Sequence, residues 1–207
     1  AGAVLPAITH PKLEVVEFTR CRVSFSAVGL LNAPNLKVLS LKALKLPFEG
    51  TVTDASLGAL SRLTSLTSFT LDDEEFLSPV CFHYRGLDVM LPALTNLQEM
   101  VLPTMHHASL PTSCCCSLRR LELQEMECDD LPLPGLLRSM PALHTLHVWH
   151  LILPPLRLTR VPKVASVLQH TTALASFSCR TLSLYRHKVP GLSRRCPVPY
   201  RDFQVNV

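Results

Sequence analysis

The stretch "LHTLHVWHLIL", residues 143–153, decides the fold. Its apolar residues stand at relative positions one, four, six, nine and eleven: Leu143, Leu146, Val148, Leu151 and Leu153. Positions four and six alternate as on a short strand with one buried face, so positions three, five and seven turn to the open face. The only tryptophan of the chain, Trp149, occupies position seven, with His147 beside it at position five.

The pattern recurs outward in both directions. It reads "LEVVEFTRCRV" from Leu13, "LKVLSLKALKL" from Leu36, "LTSFTLDDEEF" from Leu66 and "LQEMVLPTMHH" from Leu97. It continues as "LRRLELQEMEC" from Leu118 and "LASFSCRTLSL" from Leu174, so seven copies share the first three apolar positions at steps of 21 to 31 residues. A leucine at position one packs at the strand's start, and each copy covers its apolar face only by stacking on its neighbours. The motif L-x-x-L-x-L-x-x-N/C-x-L resembles the leucine-rich repeat, and the resemblance spans residues 13–184; the long steps are closer to the ribonuclease-inhibitor-like and cysteine-containing classes. Position nine departs from it, being Cys21, Leu44, Glu74, Met105, Met126, Leu151 and Leu182, without an asparagine ladder. The eleventh position of the fourth copy is His107.

Segments between the strands carry helical spacing. In "TDASLGALSRL", Thr53 or Asp54 can cap a helix whose Leu57, Leu60 and Leu63 fall at three-residue steps. "SFSAVGLLN", "GLDVMLPAL", "LPGLLRSM" and "VPKVASVLQH" read the same way. Strand, crossover helix and parallel strand give an α/β chain: a right-handed leucine-rich-repeat solenoid, or horseshoe, with a parallel β-sheet on the concave face and helices on the convex face. Residues 1–184 form this solenoid of about seven repeats. Residues 185–207 lose the pattern and are expected to be a C-terminal cap, through Leu192, Tyr200 and Phe203, or a partly disordered basic tail.

At 207 residues and 47% hydrophobic composition, the chain can bury a real core. Seventeen prolines and 17% charged residues fit many short segments separated by turns. Residues 1–159 carry a net charge of −3 and residues 160–207 a net charge of +7, which points to a basic C-terminal surface. Few aromatics interleave there, so base stacking is poorly supported and nucleic acid is not an expected partner. No apolar run reaches the roughly 18 residues a bilayer needs, and the start lacks a signal-peptide pattern. The missing initiator Met suggests a fragment or a processed chain. Eight cysteines without disulfide-framework spacing, and no Asn-x-Ser/Thr site, lean toward an intracellular and cytoplasmic setting.

The candidate binding residues follow from the strand register. Position seven places Lys42, Asp72, Gln124, Trp149 and Arg180 on the open face, and position five adds Glu122 and His147. An exposed tryptophan flanked by arginine has the composition of a hot spot, where truncation costs about 2 kcal/mol or more. The competing reading is a ring lying flat over neighbouring strands and covering sheet backbone. Asp72 and Asp73 stand at the rim, as a solvated strand end or a steering patch.

Little of the chain suggests catalysis. His144, His147 and His150 recur every three residues, which on a strand points them to opposite faces and not at one zinc ion. "MHHASLPTSCCCSL" gathers His106, His107, Cys114, Cys115 and Cys116 near Cys128, a metal or thiol-enzyme candidate that lacks paired C-x-x-C spacing. Its other reading is an irregular convex loop with buried or idle thiols. No nucleophile elbow, Walker loop or dinucleotide fingerprint is present, and no cofactor or small-molecule substrate is expected. The resemblance implies a non-catalytic protein-binding module with its partner on the concave sheet. One version is the substrate-recognition arm of an F-box-type ubiquitin ligase, and another is the sensor region of an intracellular immune receptor.

Overall fold

A computed structural model describes residues 10–20, 32–42, 54–72, 85–105, 115–127, 139–153, 174–184 and 200–206. They build one open sheet of eight strands in chain order. The strands are β1 (Val15–Thr19), β2 (Val38–Lys42), β3 (Ser68–Asp72) and β4 (Glu99–Met105). After them come β5 (Arg120–Glu127), β6 (Thr145–Leu153), β7 (Ser176–Leu184) and β8 (Tyr200–Asn206). Strands β1 to β7 pair in parallel, and each of the seven repeat copies contributes one of them. Strand β8, from the segment after the last copy, pairs antiparallel with β7.

The register is that of the repeat. Position four aligns across neighbouring strands as Val16, Leu39, Phe69, Met100, Leu121, Leu146 and Phe177. From Leu39 to Leu146 this row is fully buried, as are Leu41, Leu71, Leu102, Leu123 and Val148 at position six. Position one is buried from Leu36 to Leu174. In the first copy Leu13, Val16 and Phe18 are only half-buried, as befits a strand that pairs on one side alone among the described residues.

One backbone device joins every copy to the next. The position-two carbonyl uses both lone pairs, accepting from the position-two and position-three N–H groups of the following copy. Glu14 accepts from Lys37 and Val38 at 2.8 and 3.0 Å, and Lys37 from Thr67 and Ser68 at the same distances. Thr67, Gln98, Arg119 and His144 repeat the arrangement in the four junctions that follow. Before the strand, the position-one N–H donates to the carbonyl three residues back, closing a β-turn: Leu13 to His10, Leu36 to Ala33, Leu66 to Leu63, Leu97 to Leu94 and Leu143 to Met140. Two asparagines at the residue before position one extend the stacking. Asn35 Nδ2 donates to Pro11 O at 2.6 Å and Asn96 Nδ2 to Thr64 O at 3.0 Å. These two asparagines thus tie neighbouring copies together from the turn before the strand.

The ladder is interrupted at position seven. Between β4 and β5, β5 and β6, and β6 and β7, the paired residues pass directly from position six to position eight. The sequence requires such a break, because apolar positions four and six have the opposite parity from nine and eleven. In the first copy Thr19 at position seven still pairs with Lys42, and the next residue, Arg20, has φ 53°, left-handed backbone outside glycine.

Two crossovers contain helices among the described residues. Helix α1 (Asp54–Ala59) runs into a 3-10 turn over Leu60–Arg62, and α2 (Arg85–Ala93) follows β3. Each buries its apolar stripe, Leu57 and Leu60 in one case and Leu87, Met90 and Leu91 in the other. The two helices pack side by side, so close at Gly58 that a β-carbon there would stand 3.6 Å from Val89 Cγ1. Pro92 sits in the last turn of α2, where its missing N–H costs only one helical hydrogen bond. Of the other three helical segments read from the sequence, only Asn32, Ser139 and Met140 fall among the described residues. No described helix is long and apolar enough to cross a membrane.

Candidate functional site

Strands β5, β6 and β7 meet around Trp149. The residue is 39% exposed. The register sets Glu122 beside His147 and His147 beside Ser178, all at position five. From β5, Glu122 Oε1 accepts the indole N–H at 2.7 Å. From β7, the Arg180 guanidinium lies over the indole with Cζ 5.0 Å from the ring centroid, a cation–π contact. His147 meets the same ring edge-on, with centroids 5.6 Å apart and planes at 84°.

The neighbours of the tryptophan are themselves held. Glu122 Oε2 pairs with Arg120 Nη2 at 3.2 Å, so both carboxylate oxygens are occupied. The Glu122 side chain is 17% exposed and that of Arg120 is 54% exposed, which places the carboxylate beneath the arginine's reach. His147 Nδ1 and Ser178 Oγ are hydrogen-bonded across β6 and β7. The carboxylate that holds the indole N–H and the imidazole that meets its edge are therefore each held by a further partner in the sheet.

Four of the seven residues singled out in the sequence, Glu122, His147, Trp149 and Arg180, form this one cluster. The other three stand toward β2 and β3. Lys42 is exposed and its Cα partner is Asp72. Asp72 Oδ1 accepts from Gln124 Nε2. Gln124 starts on β5 and Asp72 on β3, so this bond spans β4 at the level of Pro103. Pro103 is buried there, although position seven was expected on the open face. Proline has no N–H to lose at a gap in the ladder, and its ring fits below the bridging side chains. Ser40, expected on the same face at position five, is also buried.

Arg120 and Ser178 belong to the cluster although sequence reasoning did not select them. They occupy positions three and five of strands adjacent to Trp149, and that adjacency was the available signal.

The cysteine-rich candidate resolves differently. Cys115 is buried at 2% exposure and stands three residues before Leu118. Ala33, Leu63, Leu94 and Met140 hold that same place before Leu36, Leu66, Leu97 and Leu143, and all are buried. The residue is thus a core position of the pre-strand turn, in keeping with the reading of buried thiols. Burial pushes its thiol pKa up, partly offset by the Ser117 hydroxyl at 4.0 Å. Cys116 is exposed, and neither residue forms a disulfide. His106, His107, Cys114 and Cys128 lie outside the described residues. Among the described residues no three His, Cys, Asp or Glu side chains gather as metal ligands would.

The chain matches no known family model, and no curated protein sequence matches it significantly.

Proposed function

We propose that the chain is a right-handed leucine-rich-repeat solenoid, with its sheet on the concave face and helices on the convex face, acting as a non-catalytic protein-binding module. Its partner contacts the open face of the sheet around Trp149. The observation that carries this reading is the exposed indole held by Glu122, Arg180 and His147. A surface tryptophan fixed by neighbours on three sides loses little freedom when a partner covers it, so more of the contact energy appears as affinity. Trp and Arg are also the residues most enriched at binding hot spots. The repeat spacing, the in-register parallel strands and the helices in two crossovers support the solenoid. The cysteine usage supports an intracellular setting.

The test is affinity capture with the wild-type chain against Trp149→Ala, after circular dichroism shows both equally folded. A protein retained by the first and lost from the second supports the interface. Equal capture by both means that Trp149 only covers sheet backbone. A ubiquitin-ligase substrate arm and an immune sensor would use the same face and differ in the joined domain, an F-box or a nucleotide-binding domain, which the transcript sequence distinguishes.

A further inference from the structure

The Trp149 cluster contains an imidazole, the side chain whose charge ordinarily changes between about pH 5 and 8. His147 is half-buried, and its strand lies between β5 and β7. From β5 it faces Glu122, its Cα partner, whose carboxylate also holds Arg120. From β7 it faces Ser178, to which it is paired and hydrogen-bonded, and Arg180, which shares the Trp149 ring with it. On its own strand, Thr145 and Trp149 stand on the same face. Asp202 falls level with Arg180 in the β7–β8 register, two strands from His147.

Glu122 Oε1 holds the neutral indole N–H. An imidazolium beside it would compete for that oxygen with a full positive charge, which the indole lacks. The Glu122 side chain is only 17% exposed, so water screens that attraction little. The bond to Ser178 survives in either state, because a hydroxyl donates to a neutral Nδ1 and accepts from a protonated one. The imidazole thus stays in place and only its charge changes. We propose that His147 is a pH-sensitive latch on the Trp149 face. Neutral, it leaves the indole fixed by Glu122 and Arg180; protonated, it draws Glu122 from the indole N–H and repels Arg180, and the ring loosens. The inference rests on the protein-binding reading and adds its regulation. Partner affinity is full where His147 is neutral and falls as acid charges it, since a loosened ring must be ordered again on binding. By linkage, a bound partner holds His147 neutral.

The test needs no partner, so its failure is separate from failure of the interface, which stands or falls with affinity capture at neutral pH. Trp149 is the chain's only tryptophan, so its indole gives a single side-chain nitrogen–proton cross-peak and all of the tryptophan emission. The full chain is titrated from about pH 8 to about pH 5.5, with circular dichroism showing it folded throughout. The expected outcome is one upfield step of the indole proton, together with a rise in the bimolecular rate constant of acrylamide quenching to the level of Arg180→Ala at the alkaline end. Both changes should be absent from His147→Gln, whose amide keeps a polar partner for Ser178, and present in His150→Gln. Glu122→Gln keeps an oxygen for the indole N–H without the charge and should lose most of the rise in quenching; it decides the matter if His147→Gln does not fold. A step that persists in His147→Gln, or a full rise in Glu122→Gln, overturns the latch. Constant quenching in the wild type overturns it as well, whether or not the cross-peak moves, because the ring then stays held beside a charged His147.

Discussion

Replacing Leu121 by alanine probes the stacking of the copies where it is densest. Leu121 stands at position four of β5, fully buried between Met100 on β4 and Leu146 on β6, which are its Cα partners and are themselves fully buried. The change removes three carbons, about 2.4 kcal/mol at roughly 0.8 kcal/mol per buried methylene. Neighbours fixed by a continuous ladder on both sides relax little, so a residual cavity brings the cost to about 3–4 kcal/mol. For a chain of this size the melting temperature should fall by roughly 6–15 °C, and the urea midpoint by about 1 M or more. Urea unfolding is followed by far-ultraviolet circular dichroism and by fluorescence of Trp149 on the adjacent strand. Glu99→Ala, an exposed change at position three of β4, is the control and should stay within about 0.5 kcal/mol. A cost below about 1 kcal/mol at Leu121 would refute the close-packed row at position four.

The remaining expectations concern smaller features. Asn96→Ala should cost about 0.5–1.5 kcal/mol through loss of the bond to Thr64 O, and Ala142→Asn at the equivalent place should gain a similar amount by reaching the Cys116 carbonyl, both read by urea unfolding. Cys116, exposed, should react with a chromogenic disulfide at neutral pH well before Cys115, as peptide mapping of the labelled chain will show; equal labelling contradicts the buried turn position. The folded Cys115 thiol titrates above its ordinary value of 9.0, so its contribution to stability is intact below that pH and falls as pH rises past it. Wild type and Cys115→Ala should therefore converge in relative stability only on the alkaline side. Arg180→Ala should raise acrylamide quenching of Trp149 and leave global stability within about 1 kcal/mol, the scale of an exposed cation–π contact.

The parallel strands were legible because a buried row imposes a two-residue period, and a one-residue slip would turn every leucine of that row outward. The same register set His147, Gln124 and Arg180 beside Trp149; His147 and Arg180 do meet its ring, whereas Gln124 turns to Asp72 and Glu122 takes the indole N–H. The bond from Gln124 to Asp72 was not legible, since it bridges strands that are not neighbours and depends on Pro103 sinking beneath it. Cys115 was obscured by its own surroundings. Three consecutive cysteines suggest chemistry, whereas the relevant pattern is the apolar residue three places before each position-one leucine, which Ala33, Leu63, Leu94 and Met140 share. The antiparallel direction of β8 had no local signature, because reversal depends on the path between Leu184 and Tyr200 and not on residues in the strand.

The junction carbonyl at position two has a consequence for how such a chain changes over time. Every copy but the last offers its position-two carbonyl, and every copy but the first meets it with the N–H groups of positions two and three, whether 21 or 31 residues separate the copies. Two copies are therefore interchangeable as far as the backbone is concerned. Excising residues 66–96 whole would bring Lys37 O to the N–H groups of Gln98 and Glu99, a joint of the same form as the one removed. Duplication and loss can proceed by entire modules without inventing a new seam, and the length of the sheet becomes a heritable variable separate from the identity of its face.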